Sequence, residues 1–257
     1  MIPRVAYHAG TRGLHRAGPF STSLLLAGML ATVLASGSLL VQLGTLLLVF
    51  LLAGISGESV RRYLISLRFV WIFAVVLFVA QALSIREGVT VFRVGFAITD
   101  LGLLSGGAMA LRFLVILSGS FLFVLVTDPD RLAQSIIRLG VPYRYGHAVI
   151  LALRFVPFFR NELRTVREAQ KLRGIKPSVR SISGLRQTIR YTFVPVLVSG
   201  LLRVDSIAMS MIGRCFGLHP RRTTSHRIGW SAADTLTTLL AAVLIGVTVV
   251  SRRYPWL

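Results

Sequence analysis

Two stretches carry residue types that could do more than fill a bilayer: "AQKLRGIKP" (Ala169 to Pro177) and "SMIGRCFG" (Ser210 to Gly217), whose arginines Arg173 and Arg214 stand 41 positions apart. Each arginine ends an amphipathic run and is followed by a glycine, Gly174 directly and Gly217 three residues on. A helix C-terminus carries partial negative charge, so a cation there is worth about 0.3 to 1 kcal/mol, and glycine supplies the left-handed residue that stops the helix. Capping accounts for either arginine taken singly. Its recurrence at a second helix end in the same segment points to a pair of cationic tips with a further role.

Covalent and acid–base chemistry finds no comparable support. No G-x-x-x-x-G-K-[ST] stretch cradles a nucleotide, and no G-x-S-x-G or H-E-x-x-H pairs a nucleophile or metal with a base. His8, His15, His147, His219 and His226 do not fall at ligand spacing with carboxylates, and they read as loop or interface residues. The single cysteine, Cys215, leaves nothing for a disulfide framework. The expectation is a non-catalytic chain that binds no cofactor and no metal of its own.

The elements that must position the arginines are set by an oily composition. The 257 residues are 54% hydrophobic and 15% charged, with a mean hydropathy of +0.73, far from the globular mixture of about 25% charged residues. No ionisable side chain occurs between Arg16 and Glu58, a gap too long for one span of roughly 20 residues, so the chain crosses twice with a turn near Ser36-Gly37-Ser38. Its length also argues for a retained first helix rather than a cleaved signal, despite Arg4, Arg12 and Arg16 ahead of it. A third span, "FVWIFAVVLFVAQALSI", a fourth over about 102 to 126 and a last over about 232 to 250 complete five crossings. In the fourth, Gly102, Gly106 and Ala110 open a face for a close neighbour, and Arg112 is the one ionisable residue deep in an apolar run, expected to pair with a neighbour.

The net charge of +20 is unevenly placed: residues 127 to 229 carry 18 of the 29 basic residues against 5 acids. Retention of positive charge on the inner face makes this segment cytoplasmic, together with the N-terminus and the loop bearing Arg61, Arg62 and Arg68, whereas the balanced "REGVTVFRVGFAITD" faces outward. Nucleic acid is a weak competitor, because no aromatic-basic interleaving accompanies the charge. Within the segment, "DPDRLAQSIIRLG" reads as an amphipathic helix capped at Thr127 to Asp130 and closed at Gly140. A second helix follows Pro157, which breaks any crossing over 143 to 159, with Phe159, Leu163, Val166 and Ala169 or Gln170 on one side and Arg160, Arg164, Arg167 and Lys171 on another. A third follows Pro195, with Leu201, Val204, Ala208, Met211 and Cys215 on its apolar side and Gly217 and Pro220 as its stop. The fold class is thus an all-α integral membrane protein: 1–126 with four spans, 127–229 a cytoplasmic coupling domain of amphipathic helices, 230–257 a fifth span.

On "LALRFVPFF", "REAQKLRG" and the spacing to "AMSMIGRCFG", the chain resembles the T component of energy-coupling factor (ECF) transporters, the membrane scaffold of ABC-type importers for vitamins such as biotin and transition-metal ions such as cobalt. In that family two Ala-Arg-Gly motifs end the coupling helices and dock on the paired ATPases. The matching triplets here are Leu172-Arg173-Gly174 and Gly213-Arg214-Cys215, each keeping its arginine and departing elsewhere. A guanidinium presents five donors in a rigid fork and suits a carboxylate or carbonyl cluster in a partner groove. The resemblance implies Arg154, Pro157, Arg164, Glu168, Ala169, Met211 and Gly217 as support for the coupling helices, and two ABC ATPase subunits, a substrate-binding S component and the lipid bilayer as partners. ATP would be used by the partner subunits, and the S component would choose the nutrient. Two other classes compete: a basic membrane anchor binding anionic lipid, which leaves the paired helix stops unexplained, and a lipid-modifying membrane enzyme, for which carboxylates are too few.

Overall fold

The computed structural model describes residues 13–57, 59–85, 90–94, 96–138, 141–175, 181–219 and 231–253, so His8, His226 and the stops expected at Gly140 and Pro220 lie outside the described residues. The chain divides into two compact units, one formed by residues 1–132 with 228–257 and the other by residues 133–227.

In the first unit a short 3-10 turn, Gly13–Arg16, leads into α1 (Pro19–Ala35), α2 (Leu39–Ile55), α3 (Val60–Ser66), α4 (Arg68–Ser84), α5 (Asp100–Val126) and α10 (Ala232–Arg253). The turn between α1 and α2 falls at residues 36–38, as the composition requires. The segment expected as a plain outer loop contains an antiparallel hairpin, β1 (Thr90–Val94) and β2 (Phe96–Thr99), the one departure among the described residues from an all-helical architecture. By length and composition α5, Ala232–Ser251 and the stretch Ile182–Gly213 can each cross a membrane, while α1, α2 and α4 are 17 residues, about 25 Å, each.

Helix directions follow from residue contacts. Thr22 Oγ1 meets Thr127 Oγ1 at 3.2 Å, and Gly119 faces Leu26 and Met29, so α1 and α5 run antiparallel. Gly102 and Gly106 seat α5 on α4, where an added methyl would come within 2.8 Å of the Ala82 carbonyl and 2.9 Å of the Phe78 carbonyl. The small-residue face therefore has α4 as its neighbour. The Thr32 hydroxyl donates to the Leu244 carbonyl at 3.0 Å and Gly28 lies over Ala241, which makes α10 parallel to α1.

Leu25, Met29, Val49, Leu122 and Ala241 form the centre of the apolar core, and Phe50, Tyr63, Trp71 and Phe121 stack around it. The Tyr63 hydroxyl donates to the Ser118 carbonyl, and burial pushes its pKa up, so the phenol stays a donor. Along α4 only Ala74 and Ala82 are buried, while Phe69, Ile72, Val75, Val76 and Val79 are exposed, a surface suited to lipid. Among the described residues Arg112 meets no carboxylate: its Nη2 lies 3.5 Å from the Ser36 carbonyl, at the α1–α2 turn.

Asp234 fastens the ends of the chain together. Its Oδ2 accepts from the Ser231 amide at 2.8 Å, closing a capping box at the start of α10. Its Oδ1 accepts from the Gly18 amide and, at 2.8 Å, from the Ser21 hydroxyl, capping α1 as well. One carboxylate thus meets the positive ends of two parallel helices. Asp234→Ala strands these donors and should destabilise the purified protein by about 3 kcal/mol in thermal unfolding, with Asp234→Asn intermediate because it keeps one acceptor.

Candidate functional site at two helix ends

The second unit is built on two long helical elements. The first, α7, runs from Tyr143 to Leu172 without interruption, preceded by the amphipathic α6 (Pro129–Arg138), which links it to the first unit. Pro157 therefore lies inside a helix of 30 residues and does not end one, contrary to the sequence expectation. A proline removes one backbone donor and crowds the preceding turn, and here Phe155, Phe158 and Phe159, packed ring on ring around that turn, hold the helix together across it.

The second element starts earlier than Pro195. It comprises α8 (Ile182–Thr188), capped by the Ser181 hydroxyl accepting from the Gly184 amide at 3.1 Å, then a π-helical turn over Ile189–Phe193, then α9 (Val194–Gly213). The π turn sits where Pro195 would crowd the carbonyl of Tyr191 and cannot donate to it. Gln170, buried in the last turn of α7, donates to that carbonyl through Nε2 at 2.6 Å.

Further contacts fix the pairing. The Ser199 hydroxyl donates to Glu162 Oε1 at 2.7 Å, and Phe159 presses into the notch at Gly200, where an added methyl would stand 2.5 Å from Cε1. At the other end Arg144 Nη2 donates to the Gly217 carbonyl at 3.0 Å. As residue numbers rise on one helix they fall on the other, so α7 and α9 are antiparallel, and Arg173 and Arg214 stand at opposite ends of a pair about 45 Å long.

Both ends close with one hydrogen-bond pattern. Arg173 is the C-cap of α7 (φ −81°, ψ 6°), the Gly174 amide donates to the Lys171 carbonyl at 3.0 Å, and the Ile175 amide to the Gln170 carbonyl at 3.0 Å. Arg214 is the C-cap of α9 (φ −98°, ψ 20°), the Cys215 amide donates to the Ile212 carbonyl at 2.9 Å, and the Phe216 amide to the Met211 carbonyl at 2.9 Å. These are two Schellman motifs with arginine in the same place. The left-handed position is Gly174 (φ 74°) in the first and Cys215 (φ 57°) in the second. Gly217 was the expected stop of the second helix; it turns left-handed only two residues later (φ 91°), and Gly213 is the last helical residue. A side chain in this region costs about 1 kcal/mol, which glycine avoids.

The tips themselves face outward. Arg173, Gly174, Arg214 and Cys215 are exposed, and Leu172 is 91% exposed, so among the described residues its side chain has no packing partner. Of the other expected support residues, Ala169 and Met211 act through backbone, their carbonyls receiving the Arg173 amide at 3.2 Å and the Arg214 amide at 3.1 Å. Arg154, Arg164 and Glu168 are exposed on α7, and the structure does not bring them to either arginine. Ala169 is exposed, and Gln170 takes the buried place. On α9 the packed face runs through Thr192, Val196 and Gly200, while Leu201, Val204, Ala208 and Cys215 are exposed. Its sequence carries a polar stripe, Arg203, Ser206, Ser210 and Arg214, yet the apolar side set against that stripe is not the packed one; the glycine notch selects the face.

Sequence reasoning set Phe159 and Ala169 or Gln170 on the apolar side but missed their partners, Gly200 and the Tyr191 carbonyl, as well as Glu162 with Ser199 and the cluster of Tyr143, Arg144, His147 and Phe216. Two signals were available: a glycine in mid-helix, and a proline four residues after Tyr191. A cavity of about 540 Å³ also opens in this unit, lined by Phe159, Leu163, Arg167, Ile189, Phe193 and Val196 among others, and almost wholly apolar.

The different residues at the left-handed position give opposite expectations. Gly174→Ala should weaken the first tip and Cys215→Gly should strengthen the second, each by about 1 kcal/mol, read as faster amide exchange over 170–175 and slower exchange over 211–216.

Comparison with known proteins places this geometry among transport components. Residues 13–225 match the family model described as cobalt transport protein, CbiQ. The energy-coupling factor transporter transmembrane protein of Thermotoga maritima is 29% identical over 248 residues, covering 94% of this chain and 90% of its own length. The proteins of that description from Thermosediminibacter oceani and Streptococcus thermophilus are 26% and 28% identical, over 97% and 94% of this chain and the same shares of their own.

Proposed function

From the premise that the chain belongs to the CbiQ family, the transmembrane T components of ECF transporters, we propose that it couples ATP-driven motion of two ABC ATPase subunits to a substrate-binding S component. The observation that carries this reading is the pair of arginine-tipped Schellman ends, held at opposite ends of one antiparallel helix pair. Each tip offers a partner an exposed guanidinium fork on a fixed backbone, so a groove lined by carboxylates or carbonyls receives it without first ordering it. Two tips about 45 Å apart suit two separate grooves, one in each ATPase. When the ATPases move, the tips carry the rods with them.

The second unit belongs on the cytoplasmic side in this reading. Ile182–Gly213 has the length and composition of a span, but its α9 portion packs along α7, which carries eight charged side chains and is excluded from hydrocarbon. Helix directions within the first unit support five crossings, since α1 and α10 run parallel and α5 runs antiparallel to α1 and α4. The apolar cavity and the exposed Leu197, Val198, Leu201 and Leu202 offer the S component a greasy bearing surface. The chain performs no chemistry of its own; the nutrient, a vitamin or a transition-metal ion, is chosen by the S component.

Co-expressed with its ATPases, the wild-type chain should co-purify with them. Arg173→Glu combined with Arg214→Glu should abolish that association and the ATP-driven uptake that depends on it, and intact assembly and uptake in the double variant would remove the arginines from the coupling role.

A further inference from the structure

The second tip lacks the glycine that the Schellman turn favours, yet it adopts the same turn, and something must hold it there. Residues past the strained Cys215 are gripped by the first turn of α7. Phe216 packs edge-on against Tyr143, with ring centroids 5.5 Å apart, and against His147 at 5.0 Å. Immediately beyond, Arg144 Nη2 donates to the Gly217 carbonyl at 3.0 Å. At the first tip, among the described residues, nothing lies within 4 Å of the position a Gly174 side chain would take. Before its cap it is anchored through Gln170.

We infer that Arg144 and Phe216, with Tyr143 and His147, form a brace that positions Arg214, replacing by tertiary contact the conformational freedom that Gly174 gives Arg173. Arg144 is a positioning residue, acting on Arg214 through the backbone of residues 215–217. The brace ties the second tip to the start of α7, so a push on Arg214 is delivered to both helices of the pair. The two tips then reach the same turn differently: one through glycine and the other through the brace. This inference rests on the coupling reading, and it predicts a dependence between residues that a general loss of stability would not produce. If the brace exists to hold a non-glycine residue left-handed, supplying glycine there should make the brace dispensable.

The test uses the full chain, alone in detergent and co-expressed with its ATPases, as Arg144→Ala, Arg144→Lys, Phe216→Ala and the double variant Arg144→Ala with Cys215→Gly. In the chain alone, amide exchange over residues 211–218 should be about fivefold faster in Arg144→Ala, and faster in Phe216→Ala, with exchange in α5 unchanged. Lysine at 144 should restore most of the protection, and glycine at 215 should restore it in the double variant. Capture of the ATPases should fall and recover in the same order. Unchanged exchange in Arg144→Ala, or failure of Cys215→Gly to rescue it, overturns the brace. Faster exchange with full ATPase capture overturns the positioning of Arg214. Failure of the coupling reading is seen separately, as full capture when both arginines are reversed.

Discussion

A carbonyl deprived of its helical donor organises the second unit. Pro195 cannot donate to Tyr191, the helix widens to a π turn over Ile189–Phe193, and the exposed oxygen is taken by Gln170 from the neighbouring helix. An unmet backbone carbonyl inside a protein costs more than a made hydrogen bond returns, so the two helices are held in one register at this point. Every later contact follows from that register: Ser199 reaches Glu162, Phe159 fills the Gly200 notch, and Phe216 comes to rest on the start of α7. Both arginine tips are placed by the same pairing. The last turn of α7, where Gln170 is fixed, ends in Arg173, and the far end of α9 is closed by Arg144.

The two tips reach one geometry by different means. Gly174 enters the left-handed region at no steric cost, whereas Cys215 enters it under strain, and the surrounding structure over-determines its conformation. Equivalent function at the two ends would therefore not require equivalent residues, only equivalent placement of the guanidinium. Strain of this size is small beside the stability of the unit but large enough to shift the population of a frayed helix end severalfold.

In the first unit the corresponding work falls to polar groups within an apolar bundle. Asp234 caps two parallel helices, and Thr32 bonds the backbone of α10 and accepts from Thr248. Among apolar surfaces that lipid would satisfy as well as protein does, such bonds and the close approaches at Gly28, Gly102 and Gly106 decide which helices are neighbours. The two units are thus held by the same logic of satisfied backbone and small-residue contact.

The sequence alone determined what depends on local chemistry and composition. The positions of α1, α2, α4, α5 and α10, the all-helical membrane class, the small-residue face of α5 and the two arginine helix ends were legible, because hydrophobic run length and cap residues act within a few residues of chain. The resemblance carried by "REAQKLRG" and "AMSMIGRCFG" was legible for the same reason, and the family match bears it out. Pro157 was misread as a break because the penalty of a proline is local, while the aromatic packing that carries the helix past it is formed only once the turn exists. The face of α9 was misplaced because the apolar side with Leu201, Val204 and Ala208, which periodicity sets against Arg203, Ser206 and Ser210, is left exposed, and the packed side is chosen by Phe159 meeting Gly200 from another helix. The motif already set Cys215 against a glycine, but tertiary structure alone decided that it takes glycine's left-handed conformation: a left-handed cysteine is unfavourable locally, and the residues that hold Phe216 and Gly217 lie about 70 positions earlier in the chain.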